Sequence, residues 1–185
     1  MDYYLLFSKF EPNEGSFSVQ EPWNLVLDYS HLQLKLLQSK GRFHVDKCYD
    51  ARGMSDFLKI GLGKLASPKV QQIFFEQGFS GIQFLPVEIE NHTLIPGYAF
   101  MNPIAHYDLL DVEASEAEDF CDTRQGYSDV FEEIIDKDKF DKADIQHDCF
   151  TLSNYQDPYF VSERVKHALE AANITGIEFI PMEFS

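Results

Sequence analysis

The sequence contains one segment twice, and this repeat constrains the fold more than any other feature. Residues 67–89 and residues 162–184 align without a gap at a constant offset of 95, and 7 of the 23 aligned pairs are identical. The two copies read SPKVQQIFFEQGFSGIQFLPVEI and SERVKHALEAANITGIEFIPMEF. Because each copy of an internal repeat is one supersecondary unit, we expect the two copies to form similar helix–strand units.

Each copy predicts a short helix followed by a strand. Ser67 and Ser162 stand where a hydroxyl can accept a hydrogen bond from the first turn of a helix, and apolar residues follow them at helical spacing. Gly78 and Asn173 stand at the predicted helix ends, since both residue types tolerate positive φ. The remainder of each copy is rich in Ile and Phe and is therefore predicted to be a strand.

The glycines and prolines of the repeat add detail to the predicted strands. Gly81 and Gly176 indicate a tight entry into the strand or close packing. Pro86 and Pro181 cannot donate to a sheet ladder, so we expect them at edge positions or bulges. The residues shared by the two copies are thus caps, core apolar residues, glycines and prolines, which are scaffold residues.

The rest of the chain adds strands and loops around the repeat. We predict a turn-rich surface loop at 9–21 and strands at 3–7, 23–28, 42–48, 56–60, 94–101 and 149–152. Residues 31–37 alternate like a strand, although Leu36 and Leu37 would also suit a short helix. The sequence therefore predicts a single α+β domain, 1–185, with a mixed or antiparallel sheet and a few short helices.

The charge of the chain is strongly negative and unevenly distributed. Its 31 acidic and 15 basic residues give a formal net charge of −16, and residues 108–148 alone carry 15 acids and four basic residues. We call residues 108–148 the acidic excursion. Val130, Phe131, Ile134 and Ile135 are spaced like a short amphipathic helix that would tether it to a core. Such a chain is not expected to bind nucleic acid or an anionic membrane by itself, and it suits a basic partner.

The sequence offers no motif for catalysis or for cofactor binding. The stretch 61–64, GLGK, lacks the second half of the common phosphate-binding fingerprints. The three cysteines, Cys48, Cys121 and Cys149, have neither a disulfide framework nor metal-ligand spacing. The aspartates at 136–144 lack the glycine and the terminal glutamate of an EF-hand loop. We therefore expect no cofactor, no metal and no catalytic residue.

The start of the chain and its hydropathy bear on localisation. Met1 is followed by no basic and apolar signal region, and no apolar run approaches the roughly 20 residues of a membrane-spanning helix. Together with the cysteine usage, these features predict a reduced, cytoplasmic protein.

The acidic excursion has two interpretations. It can be a solvated face that keeps the protein soluble, or it can be a docking surface for a basic protein such as a nuclease, whose groove must be basic to bind phosphates. In the second case its carboxylates bind Arg and Lys, and aromatic residues supply apolar anchors. The candidate partner-binding residues are Asp111, Glu113, Glu116, Glu118, Asp119, Tyr127, Glu132, Glu133, Asp136 and Asp138. The alternatives are a small-molecule-binding or enzymatic α+β domain, and a structural adaptor.

Several of these segments resemble the bacterial Imm11 immunity protein family. The resemblance is carried by the first copy of the repeat, by YAFMN at 98–102, by LD at 110–111, by SE at 115–116, and by the C-terminal stretch 160–184. It covers residues 56–185, whereas 1–55 is less distinctive.

The resemblance implies a protein that binds and neutralises a cognate toxin of a polymorphic toxin system, used in competition between bacteria. It implies no catalysis and a partner that is the C-terminal domain of the toxin. The family does not fix the toxin, so it assigns no binding residue in this sequence.

Overall fold

The computed structural model describes residues 2–9, 17–20, 41–45, 54–60, 63–91, 93–95, 97–122, 126–155 and 157–185. Within these ranges the helices are α1 (Pro68–Gln77), α2 (Lys137–Lys142) and α3 (Glu163–Ala171). The strands in the same ranges are β1 (Tyr3–Ser8), β2 (Phe17–Gln20), β3 (Gly41–Val45), β4 (Phe57–Ile60), β5 (Gly63–Ala66), β6 (Ile82–Asn91), β7 (Thr93–Ile95), β8 (Ala99–Pro103), β9 (His106–Tyr107), β10 (Glu118–Cys121), β11 (Gly126–Asp129), β12 (Ile134–Ile135), β13 (Cys149–Leu152), β14 (Phe160–Ser162), β15 (Ile177–Pro181) and β16 (Glu183–Phe184).

The described strands form two larger sheets and two short strand pairs. One larger sheet has the order β15-β1-β14-β13-β9, and the other has the order β2-β3-β6-β8-β5-β4, with β7 added against β6. The strand pairs are β10-β11 and β12-β16. Most neighbouring strands run antiparallel, whereas β3 with β6, β9 with β13, and β12 with β16 run parallel. The predicted α+β class with mixed sheets and short helices is therefore confirmed.

Both copies of the repeat contain a helix that begins at a capping serine and is followed by a strand. The hydroxyl oxygens of Ser67 and Ser162 accept hydrogen bonds from the third residue of α1 and of α3, respectively. Gly78 and Asn173, at equivalent positions after the two helices, have left-handed φ values of 65° and 51°. The predicted caps and helix ends are confirmed, and the similarity of the two units as whole structures stays a prediction.

Asp56, just before β4, connects the two copies through its carboxylate. Its Oδ1 accepts a hydrogen bond of 2.8 Å from the hydroxyl of Ser67, which begins α1. Its Oδ2 accepts hydrogen bonds of 3.1 Å from both the backbone N–H and the hydroxyl of Thr175, which follows α3. The strand that precedes the first copy therefore holds the second copy as well.

Asp148, just before β13, makes the corresponding contacts with the roles of the two copies exchanged. Its Oδ1 accepts a hydrogen bond of 3.0 Å from the hydroxyl of Ser162, which begins α3. Its Oδ2 accepts from the backbone N–H and the hydroxyl of Ser80, which follows α1, at 3.2 and 3.3 Å. Arg164 forms an ion pair of 3.4 Å with the same carboxylate. Each copy is thus hydrogen-bonded to the strand that leads into the other.

The contact of each copy with the strand that leads into the other requires Gly81 and Gly176. Both have left-handed φ values, 93° and 85°. A Cβ atom on Gly81 would lie 1.8 Å from the carbonyl oxygen of Cys149, and one on Gly176 would lie 2.2 Å from the carbonyl oxygen of Phe57. Since real Cβ atoms do not approach backbone so closely, only glycine fits either position. The predicted close packing is confirmed at both glycines, and the structure shows that the close neighbour is another backbone.

Two clusters of buried side chains among the described residues lie on opposite faces of the sheet that contains β1. Successive residues of a strand point to opposite faces, and Leu6 packs with Val70 and Leu169 of the helices. Tyr3 and Leu5 belong to the other cluster, which contains side chains of the acidic excursion. The sheet is therefore covered by the two helices on one face and by the acidic excursion on the other.

The helix predicted at Val130, Phe131, Ile134 and Ile135 is wrong. Ile134 and Ile135 form β12, which pairs in parallel with β16, and α2 begins two residues later, behind the capping residue Asp136. The apolar spacing suits a helix, but Phe131 is 77% exposed whereas Ile135 is fully buried. β-branched residues favour strands, and here pairing with the C-terminal strand decides the conformation.

Other predicted elements are confirmed, corrected or outside the described residues. The strands predicted at 3–7, 56–60 and 149–152 are confirmed by β1, β4 and β13, and 42–48 is confirmed as far as Val45. The uninterrupted loop predicted at 9–21 is wrong where β2 lies, and β5 has no predicted counterpart. The single strand predicted at 94–101 is divided between β7 and β8. The predictions for 23–28 and 31–37 lie outside the described residues.

The two repeat prolines occupy different environments. Pro181 lies in β15, an edge strand of its sheet, as predicted. Pro86 lies in β6, which pairs with β8 on one side and with β3 on the other. The edge strand predicted for Pro86 is therefore wrong.

Candidate functional site

Apolar side chains of the acidic excursion are part of the hydrophobic core over its described residues. Leu109, Leu110 and Ile135 are buried in one cluster with Phe150 and Phe160 of the sheet. A β-bridge joins Leu110 to Ile135, and the adjoining strand pair ties the excursion to the C-terminal strand. Exposed carboxylates such as those of Glu113, Glu118 and Glu132 therefore belong to a segment that the hydrophobic core holds in place.

Ser115 fixes the two halves of the excursion to each other. It is fully buried, and its hydroxyl donates a hydrogen bond of 3.1 Å to the carbonyl oxygen of Ile134 and accepts one of 3.1 Å from the N–H of the same residue. Its own carbonyl oxygen accepts a 3.1 Å hydrogen bond from the N–H of Phe131. The position of segment 131–134 is thus set by a satisfied, buried polar group.

The ten candidate residues fall on four parts of the excursion. Asp111, Glu113 and Glu116 lie in the turns at 111–116, Glu118, Asp119 and Tyr127 lie on the β10–β11 hairpin, Glu132 and Glu133 precede β12, and Asp136 and Asp138 lie at the start of α2. Of these, Glu132 and Glu133 line one groove together with residues of β1 and of the C-terminal strands.

Two of the ten candidates have structural roles. Asp111 Oδ1 accepts a 3.0 Å hydrogen bond from the N–H of Ala114, and this bond is the main reason that the pKa of Asp111 lies below its ordinary value. Asp136 Oδ1 accepts a 2.9 Å hydrogen bond from the N–H of Lys139 and so caps α2. Carboxylates engaged in this way are less available to a partner than exposed ones.

The β10–β11 hairpin presents an aromatic pair. The rings of Phe120 and Tyr127 meet edge to face with centroids 5.0 Å apart, a favourable arrangement for aromatic side chains. Phe120 is 49% exposed, and Tyr127 packs partly against the core beneath the excursion. The candidate Tyr127 therefore packs against the exposed ring of Phe120 and is not itself the more exposed ring of the pair.

A groove lies between segment 131–133, the outer end of β1 and the C-terminal strands. It has a volume of about 260 Å³. Its lining residues are Leu5, Phe7, Phe131, Glu132, Glu133, Phe160, Ile180, Pro181, Met182 and Glu183. Apolar side chains and three glutamates therefore meet at one concave surface, which we call the Phe131 groove.

A buried lysine interacts with two acidic groups, one of which, Glu133, lines this groove. Lys64 Nζ donates a 3.1 Å hydrogen bond to Ser8 Oγ and lies 5.2 Å from the centroid of the Tyr159 ring. Burial lowers the pKa of Lys64 to about 8, against the opposing effect of Asp157 and Glu133. Burial also raises the pKa values of those two carboxyl groups. In this cluster, burial disfavours the charged form of each of the three groups.

No arrangement of described residues suggests a metal centre. Among the described ranges, no group of three or more His, Cys, Asp or Glu side chains is placed to hold a metal ion. His147 instead forms a 2.7 Å hydrogen bond through Nδ1 with the Tyr107 hydroxyl. Over the same ranges, no helix has the length and hydrophobicity that crossing a membrane requires.

Sequence reasoning did not select several residues of the groove. Phe7, Ile180, Met182 and Glu183 belong to the first strand and to the second copy of the repeat, which the sequence marks as scaffold. A strand alternates its two faces, so half of a scaffold strand can still face a groove. The exposed Phe7, 47% accessible in an apolar first strand, is the clearest departure from a purely structural pattern.

Comparison with known families identifies the family of this chain. The Imm11 immunity protein family matches residues 20–183 of the 185, and the chain belongs to this family. Comparison with curated proteins gives no match. Membership of an immunity protein family implies a cognate toxin as the partner.

Proposed function

We propose that this protein neutralises a cognate bacterial toxin by binding it through the acidic excursion, without catalysis, and that it acts in the cytoplasm as one immunity-type domain, 1–185. Family membership supplies the class of partner. The observation that supports the acidic surface is the net charge of −11 over 108–148, carried by a segment that buried side chains such as Leu110 and Ile135 hold against the core.

The charge favours a basic toxin domain, and a nuclease is the leading candidate. A nuclease must bind phosphates with Lys and Arg, and preorganised carboxylates can occupy or flank such a groove through charge-assisted hydrogen bonds. Complementary fields also speed the encounter of the two proteins. Fast capture is what a cell needs when its own toxin is made beside the inhibitor.

The shape of the Phe131 groove gives more support to a protein partner than to a small-molecule site. Its volume of about 260 Å³ is below the roughly 300–1,000 Å³ that ligand pockets commonly have. The enzymatic or small-molecule-binding alternative therefore has no specific observation in its favour among the described residues.

Co-expression tests the proposal. The C-terminal domain of the toxin encoded next to this gene is expressed in a bacterial host with the wild-type chain or with an empty vector. We expect growth to stop with the empty vector and to continue with the wild-type chain. If the neighbouring domain is toxic and the chain does not restore growth, the proposed function is wrong. Intact DNA and RNA in the poisoned cells would refute the nuclease part alone.

A further inference from the structure

Much of the lining of the Phe131 groove is apolar. β1 contributes Leu5, β15 contributes Ile180, and Met182 lies between β15 and β16. The same lining includes two exposed rings, Phe7 at 47% and Phe131 at 77%. A contiguous exposed apolar surface rimmed by polar groups commonly marks a surface that a partner covers.

The position of Phe131 is fixed although its side chain is exposed. Its N–H donates a 3.1 Å hydrogen bond to the carbonyl oxygen of the buried Ser115, and β12 follows it after two glutamates. Because the backbone of Phe131 is held, a partner does not have to order this segment when it binds. Aromatic side chains, Phe among them, are enriched at protein interfaces.

The rim of the groove carries negative charge. Glu132, Glu133 and Glu183 all line it. Glu132 and Glu183 are exposed and make no ion pair with a described Lys, Arg or His, whereas Glu133 is half-buried and interacts with the buried Lys64. The two exposed glutamates, beside apolar lining residues, complement a basic surface with an apolar centre.

From this geometry we infer that the Phe131 groove is the principal docking site for the toxin domain, which inserts an apolar side chain between Phe7 and Phe131 and places Lys or Arg side chains on the surrounding glutamates. This inference rests on the proposed function. It excludes nucleic acid as the occupant, because three carboxylates would repel phosphates. The inference also places the interface at one of the four parts of the excursion that carry candidate residues, the segment with Glu132 and Glu133.

The chain offers a matched pair of variants as a test. Phe131 and Glu132 are adjacent and exposed, and so are Phe75 and Glu76 on α1, where Phe75 is 86% exposed. The groove variant is Phe131→Ala with Glu132→Lys, and the control is Phe75→Ala with Glu76→Lys. Both remove one exposed ring and reverse one exposed charge, so their effects on folding should be small and similar. Thermal unfolding of the two variants checks this.

The dissociation constant of each variant is measured against the purified toxin domain encoded by the neighbouring gene. We expect the groove variant to bind at least about 30-fold more weakly than wild type, the size of effect that a dominant interface residue produces. The control should stay within about threefold of wild type. The loss in the groove variant should be smaller at about 0.5 M salt than at about 0.05 M, because charge is part of the contact.

The outcomes separate this inference from the proposed function. Wild-type chain that binds no toxin domain refutes the proposed function itself. Wild-type binding that is equally strong in the groove variant, or is lost in the control instead, overturns the docking site and leaves the proposed function standing. A wild-type dimer that becomes monomeric in the groove variant while toxin binding is unchanged would assign the groove to a second copy of this chain, which also overturns the inference.

Discussion

Replacing Gly81 with alanine should destabilise the protein by about 3–5 kcal/mol. An L-residue in the left-handed conformation costs about 1–2 kcal/mol, and Gly81 has φ 93°. The new Cβ would lie 1.8 Å from the carbonyl oxygen of Cys149, far inside the ordinary contact distance of about 3.5 Å. β13 must therefore move by more than about 1 Å relative to Gly81.

That movement strains two hydrogen bonds near the glycine. The N–H of Cys149 donates to the carbonyl oxygen of Ser80 at 3.0 Å, and the N–H of Ile104 donates to the carbonyl oxygen of Gly81 at 2.9 Å. Losing a buried backbone partner costs about 1–3 kcal/mol for each group left unsatisfied. Adding part of this cost to the conformational strain gives the predicted range.

Gly78→Ala is the matched control. Gly78 also has a left-handed φ, 65°, but a Cβ there would meet nothing within 4 Å. The control should therefore lose only the conformational term, about 1–2 kcal/mol. Urea unfolding of both variants at neutral pH measures the two free energies. If Gly81→Ala costs no more than Gly78→Ala, the close approach of β13 to the first copy is wrong.

Three further predictions concern the interior and the charge. Asp148→Ala should destabilise the fold by about 2–4 kcal/mol, because it leaves the hydroxyls of Ser80 and Ser162 without their acceptor. The control Asp138→Ala, on the exposed start of α2, should change the stability by under about 0.5 kcal/mol. Equal effects of the two substitutions in urea unfolding would refute the role of Asp148. Lys64 has a folded pKa of about 8 against 10.5 when unfolded, so the neutral amine is favoured in the fold. The stability of the wild type relative to Lys64→Met should therefore rise by up to about 3 kcal/mol as the pH rises through this interval; parallel stability curves would contradict it. Association of the wild-type chain with the toxin domain should slow at least about tenfold between about 0.05 and 0.5 M salt in stopped-flow measurements, and a rate independent of salt would exclude steering by the acidic excursion.

The features that sequence reasoning predicts correctly here depend on local chemistry. Ser67 and Ser162 cap helices because a hydroxyl reaches the N–H groups of its own first turn, whatever the rest of the chain does. Gly81 and Gly176 indicate a tight entry or close packing because glycine next to an apolar strand commonly has one of these roles. Neither signal says which backbone approaches, so the crossed contacts with Cys149 and Phe57 follow from the structure alone.

The features that sequence reasoning misses depend on pairing between residues that are far apart in the chain. The apolar pattern of 130–135 is compatible with a helix, and only the parallel pairing of Ile134 and Ile135 with the C-terminal strand makes it β12. The same pairing exposes Phe131 and buries Ile135. Charge counting selects the acidic excursion as a whole, but it cannot separate Glu132 at a groove from Asp136 at a helix cap.

Hydrogen–deuterium exchange of this chain with and without the toxin domain tests the central claim most directly. A partner that docks in the Phe131 groove should slow exchange at 131–135 and at 180–184, where the groove and the β12–β16 pair lie. Exchange in α1 and α3, on the opposite face of the sheet, should stay unchanged. Slower exchange confined to the two helices, with none at the groove, would contradict toxin binding through the acidic excursion.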